Sequence, residues 1–159
     1  MHSRTHTNGH TREKPAIDEL TGTWNRAGFI AAATPMFASC QRREAPVSLA
    51  FFEFHAGLAC AADPRTVDQV LMAMGDLMRK AFRASDIVGR VDPLRFVVLL
   101  PDCTDEALAA IDGVRALTDA TAPQRLSLTA GMVRSSPRGT LEELLHAAEA
   151  RAQELDGNF

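Results

Sequence analysis

The sequence predicts a single α+β domain in which a mainly antiparallel sheet is flanked by helices. Three observations carry this reading. Short apolar, β-branched runs recur at 47–54, 87–91, 96–100 and 126–133. At 66–82 apolar residues instead follow steps of three and four, which marks a helix with one buried face. Further helical stretches stand at 25–42, 104–117 and 140–156. The order is therefore strand, helix, strand, strand, helix, strand, with a helix before and after, which is the split β-α-β arrangement of a ferredoxin-like sheet.

Length and composition bound the answer. The 159 residues, 46% of them hydrophobic, suffice for one domain with a real core. Residues 1–15 are polar and lack apolar periodicity, so they are read as an unstructured tail, with 16–159 as the domain. His2, His6 and His10 recur every four residues and could line one helix face as metal ligands, but Gly9 and the absence of a cap favour an unstructured leader. No apolar run is long enough to span a membrane and no secretion signal is visible, so a cytoplasmic protein is expected. Cys40, Cys60 and Cys103 lack metal-ligand spacing and are read as reduced packing residues, with no metal site. A net charge of −3 with scattered basic residues argues against a nucleic-acid partner.

The elements follow in order. In 18–29, Asp18 and Thr21 can satisfy the backbone of a turn while Leu20, Trp24 and Phe29 pack beneath the sheet. The helix from about Asn25 to Arg42 contains Pro35, which is expected to kink or divide it, with Thr34 capping the second piece. Val47 to Phe54 reads as a buried strand. Thr66-Val67-Asp68-Gln69 resembles a capping box that opens the helix 66–82, with Met72, Met74 and Met78 as core filling. Ile87 to Val91 and Phe96 to Leu100 flank the turn residues Asp92, Pro93, Leu94 and Arg95, which predicts a hairpin over about 86–101. Thr104 is expected to cap the next helix, and Thr140 with Glu143 to form the capping box of the last.

Two stretches carry a resemblance to a known family. Asp18, Leu20, Thr21, Gly22, Asn25, Arg26 and Phe29 fall on the fixed positions of D-x-L-T-G-L-x-N-R-x-x-F. The run Arg83-Ala-Ser-Asp86-Ile-Val-Gly-Arg90-Val-Asp92-Pro93-Leu94-Arg95-Phe96 is similar to R-x-x-D-x-x-x-R-x-G-G-D/E-E-F. Both patterns are those of diguanylate cyclase (GGDEF) domains, and the resemblance covers about 18–156. It implies the nucleotide-cyclase palm fold and a link to cyclic di-GMP signalling in bacteria.

The same resemblance implies a broken active site. Active members condense two GTP molecules across a pair of facing domains, with metal ions neutralising the developing charge. Here Asp92 and Pro93 replace the two glycines, and Leu94 and Arg95 replace both acids. Glu53, His55 and Leu58 occupy the family's D-x-D-x-F-K positions. Glu53 could still offer an oxygen to a hard cation, Leu58 cannot replace the phosphate-binding Lys, and His55 reads as a strand-end histidine rather than a ligand. The guanine-reading Asn is absent, Asp68 matches a guanine-contacting Asp only with a gap, and the final helix lacks the family's Tyr and Lys. Losing one charge-stabilising group commonly costs about 3 to 4 kcal/mol, and several are lost together. No enzyme activity and no required cofactor are expected.

Arg83 and Asp86 stand at the spacing of the family's R-x-x-D inhibitory site, where cyclic di-GMP binds, with Arg90 as a further cation. Arg79, Lys80, Arg83, Arg90 and Arg95 are expected to make this end basic and attractive to an anion. The plainer reading of Arg83 is a helix-end arginine that complements the dipole. Two functions therefore compete: an inactive domain that binds cyclic di-GMP, and a nucleotide-independent interaction domain for a protein signalling partner. A homodimer is compatible with either, and an active cyclase is the third and most distant reading.

Overall fold

The computed structural model describes residues 16–56, 63–102, 105–121 and 126–156. The elements in chain order are β1 (Trp24–Asn25), α1 (Arg26–Arg42), β2 (Val47–Ala56), α2 (Pro64–Ala81), β3 (Ile87–Asp92), β4 (Arg95–Pro101), α3 (Asp105–Thr121), β5 (Leu126–Arg134) and α4 (Leu141–Asp156). The strands form one sheet in the order β1-β3-β4-β2-β5. Only the short β1 runs parallel to its neighbour, β3; the β3–β4, β4–β2 and β2–β5 pairings are antiparallel. The α+β class, the ferredoxin-like order and the hairpin are thus as the sequence predicts.

Side chains alternate across the sheet and build a core on each face. Ala50, Phe52, Phe54, Phe96, Val98 and Leu100 meet Leu71, Met74 and Met78 of α2 and Ile111 and Val114 of α3. Leu49, Phe51, Val97 and Leu99 meet Phe29, Ala33 and Phe37 of α1 and Leu144, Leu145 and Ala148 of α4. The first-turn residues divide between the faces: Leu20 packs on the α2/α3 side, Trp24 and Phe29 on the α1/α4 side.

Several expectations for the helices are corrected. Pro35 does not divide α1, which is continuous from Arg26 to Arg42. The buried residues Ala33 and Phe37 hold both halves on one face, while the carbonyl of Ala31, which Pro35 cannot serve, lies on an exposed residue. Thr34 caps nothing; its hydroxyl donates to the Ile30 carbonyl at 2.6 Å. The cap of α1 is Asn25, whose Oδ1 accepts from the Gly28 amide at 2.8 Å. Helix α2 begins before Thr66: Asp63 is the cap, accepting from the Arg65 amide at 3.2 Å and the Thr66 hydroxyl at 2.6 Å, with Pro64 in the first turn. Met72 is 52% exposed, so only Met74 and Met78 fill the core. Helix α3 runs on past Leu117 to Thr121.

Other expectations hold. Thr140 Oγ1 accepts from the Glu143 amide at 3.1 Å and opens α4. Cys40 is buried and free; burial first, and the Asp102 charge second, push its thiol up, against the smaller opposing effect of Arg43. Leu58, Cys60, Cys103, Thr104 and the tail histidines lie outside the described residues.

The turn 16–25 is held against the body by close backbone approach. Gly22 adopts φ +74°, a region that favours glycine. Gly75 of α2 lies under Thr21, so an added Cβ would fall 2.5 Å from the Thr21 carbonyl oxygen and 2.7 Å from its Cβ. Gly75→Ala should therefore push the turn off α2 and cost about 1–3 kcal/mol in urea denaturation. A change below about 0.5 kcal/mol, the range of neutral surface substitutions, would contradict this packing.

Candidate functional site

The sheet has two ends of chemical interest. At one lies the β3–β4 turn, at the other the α2–β3 turn that carries Arg83 and Asp86.

The hairpin loop consists of Pro93 and Leu94, between the paired residues Asp92 and Arg95. A proline cannot adopt the left-handed backbone of the usual two-residue hairpin turns. Correspondingly, Leu94 does not have positive φ, and the ladder is irregular between Arg90 and Asp92, where a bulge supplies local twist. Both loop carbonyls are engaged: Arg90 Nε donates to Pro93 O at 3.0 Å and the Phe54 amide to Leu94 O at 2.8 Å. Leu94 itself packs against the α2/α3 core.

Glu53 lies directly opposite Arg95 in the β2–β4 ladder. Arg95 Nη2 is 3.3 Å from Glu53 Oε1, and Nη1 is 3.3 Å from Asp92 Oδ2. The Glu53 and Arg95 side chains are 21% and 18% exposed, which places this pair well inside the surface. His55, two residues along β2, meets the Thr129 hydroxyl of β5 at 3.0 Å through Nε2. These residues do not fit the magnesium that the family implies. Glu53 already faces a guanidinium, Leu94 has no side-chain oxygen, and no group of three or more potential ligands occurs among the described residues.

Arg90 occupies the middle of β3 and turns to the N-terminal turn. Its Nη1 lies 3.1 and 3.2 Å from the two oxygens of Asp18. Asp18 Oδ2 also accepts from the Thr21 amide at 3.0 Å and the Thr21 hydroxyl at 2.6 Å. Partial burial pushes the Asp18 carboxyl up, but the bonds from the Thr21 hydroxyl, Arg90 and the Thr21 amide, with the Arg90 charge, outweigh it and hold it below its ordinary value. The sequence marks both residues but not their union, because 72 positions separate them.

At the opposite end, Arg83 and Asp86 are brought together. Arg83 Nη2 donates to Asp86 Oδ1 at 2.8 Å, while its Nε at 3.3 Å and its own amide at 2.8 Å reach Asp86 Oδ2. Nη2 also donates to the Pro101 carbonyl at the end of β4, at 3.0 Å. The Asp86 side chain is 2% exposed and that of Arg83 43%. Arg90 does not join this pair: it stands four residues further on, beside Asp18. The expected basic end is likewise not one patch. Arg79 pairs with Asp76, Arg83 with Asp86, Arg90 with Asp18, and Arg95 with Glu53 and Asp92.

Asp18→Asn should cost about 1–3 kcal/mol at neutral pH by urea denaturation. Because the folded carboxyl titrates below its unfolded value, its contribution is present above the ordinary aspartate range and lost as the pH falls through the folded value. The gap between parent and variant should therefore close in acid; a gap that stays constant would contradict the Asp18 assignment.

The family model described as "Diguanylate cyclase, GGDEF domain" matches residues 15–157. No curated protein sequence matches the chain. Among solved structures, the diguanylate cyclase SiaD of Pseudomonas aeruginosa, in complex with its activator SiaC, superposes with a TM-score of 0.82 at 20% identity, over 91% of this chain and 59% of that one. The chain thus spans little more than half of SiaD. The GGDEF domain of DgcB from Caulobacter crescentus, in complex with c-di-GMP, gives 0.81 at 12% identity over 97% and 94% of the two chains. The GGDEF domain of FimX from Pseudomonas aeruginosa gives 0.79 at 18% identity over 92% and 96%. With the match extending over nearly the whole sequence, from the Asp18 turn through the hairpin to α4, the chain belongs to the GGDEF domain family.

Proposed function

We propose that this chain is a catalytically inactive, cytoplasmic GGDEF domain that binds cyclic di-GMP through Arg83 and Asp86. The observation that carries the reading is the assembled pair: a half-exposed guanidinium oriented by a buried carboxylate at an open turn. An arginine fork of this kind suits a guanine edge or a phosphate, both of which the ligand presents. The c-di-GMP in the DgcB complex supports the same direction. The inactivity rests on the hairpin, where Arg95 puts a positive charge beside the carboxylate of Glu53 and Leu94 offers no ligand.

One observation favours a second reading. Asp86 accepts three bonds from Arg83, and Arg83 also serves Pro101, so the pair can act as a structural clasp with no ligand. The chain would then be an interaction domain for a signalling partner, as SiaC is for SiaD.

Calorimetric titration with cyclic di-GMP separates the two. Micromolar binding is expected, weakened at least about tenfold in Arg83→Lys, which keeps the charge beside Asp86 but loses the fork. No heat with the parent protein would overturn the receptor reading and leave the clasp. Incubation with GTP and Mg²⁺ or Mn²⁺ should give no cyclic di-GMP on chromatography; steady product formation would overturn the inactivity.

A further inference from the structure

We infer that Arg95 is an internal cation standing where the family would place a divalent metal, so that a fixed guanidinium rather than an exchangeable ion holds the hairpin to the sheet. Register alone puts it there. Glu53 and Arg95 are cross-strand neighbours, and on such a pair opposite charges attract while like charges repel. An acid at position 95 would thus need a cation between it and Glu53. Arginine brings that cation on its own side chain.

The contacts fit this role. Arg95 reaches Glu53 on β2 and Asp92 on β3, so one planar group joins the carboxylates of two strands. The inner pair is about one-fifth exposed. Beyond these contacts, Glu53 Oε2 and Arg95 Nε are buried without a hydrogen-bond partner. A buried acceptor left idle beside a guanidinium is a geometry set by charge more than by hydrogen bonding. The loop carbonyls that could have supplied metal ligands already accept from Arg90 and Phe54. Two carboxylates and one guanidinium leave the cluster with a net charge of about −1, and the positive group sits at its centre, where an incoming divalent ion would be repelled. The hairpin is therefore held in a metal-independent state. This stands whether or not Arg83 binds a nucleotide.

Thermal melting with and without Mn²⁺, read together with Mn²⁺ paramagnetic resonance, tests it. In the parent protein, Mn²⁺ should leave the melting temperature unchanged, with no bound ion that Glu53→Gln removes. Arg95→Met frees both carboxylates; it should melt lower, recover part of the loss in Mn²⁺ and bind about one ion per chain. The double variant Glu53→Gln/Arg95→Met should lose the Mn²⁺ response. Binding of Mn²⁺ to the parent that depends on Glu53, or an Arg95→Met protein that ignores Mn²⁺, overturns the inference. Should Arg95→Met not fold, Arg95→Lys decides: it keeps a cation and should remain folded and blind to Mn²⁺, whereas Glu53-dependent binding in the lysine variant overturns the inference.

Discussion

The structure depends on β2. It is hydrogen-bonded along both edges, to β4 and to β5, and its side chains are buried on both faces. Leu49 and Phe51 enter one core, Ala50, Phe52 and Phe54 the other. A strand in that position has no solvent face to spare, so any charge it carries must be answered by a neighbour. Glu53 is that charge, and the answer comes from the strand alongside. The helices then follow from the sheet: α2 and α3 cover one set of phenylalanines, α1 and α4 the other.

The electrostatics of the domain are local. Each of the arginines 79, 83, 90 and 95 lies within ion-pair distance of a carboxylate: Arg79 and Arg83 at sequence separation three, Arg90 across the tertiary fold, and Arg95 in both ways. Exposed pairs such as Arg79–Asp76 contribute little to stability. The half-buried Arg90–Asp18 pair does more, since Asp18 also organises the turn that packs on α2 at Gly75.

Much of the fold was legible because it rests on local pattern. The hairpin, the period of α2 and the Thr140 capping box are each written within a few consecutive residues. The departures are cases where tertiary packing or a competing local signal decides. Ala33 and Phe37, anchored on one core, carry α1 through Pro35. Asp63 and Pro64, an aspartate cap followed by a first-turn proline, outrank the capping pattern at Thr66. At the sites, the proximity of Arg83 and Asp86 follows from their spacing. The partners of Arg90 and Arg95 do not, because they are set by which strand lies beside which. Once β2 and β4 are aligned so that Phe52 faces Phe96, however, Glu53 opposite Arg95 follows by counting.

Arg95 and Pro101 are the first and last residues of β4, seven residues that span roughly 20–24 Å. The first is gripped through its side chain by Glu53, the last through its carbonyl by Arg83. The strand is thus clamped at both ends by arginines that belong to unrelated motifs. A slip of one residue would turn Arg95 to the opposite face of the sheet and carry a different carbonyl under Arg83, so both clamps would open at once. What reads in the sequence as one retained and one replaced position of a family signature is, in mechanical terms, a single register lock.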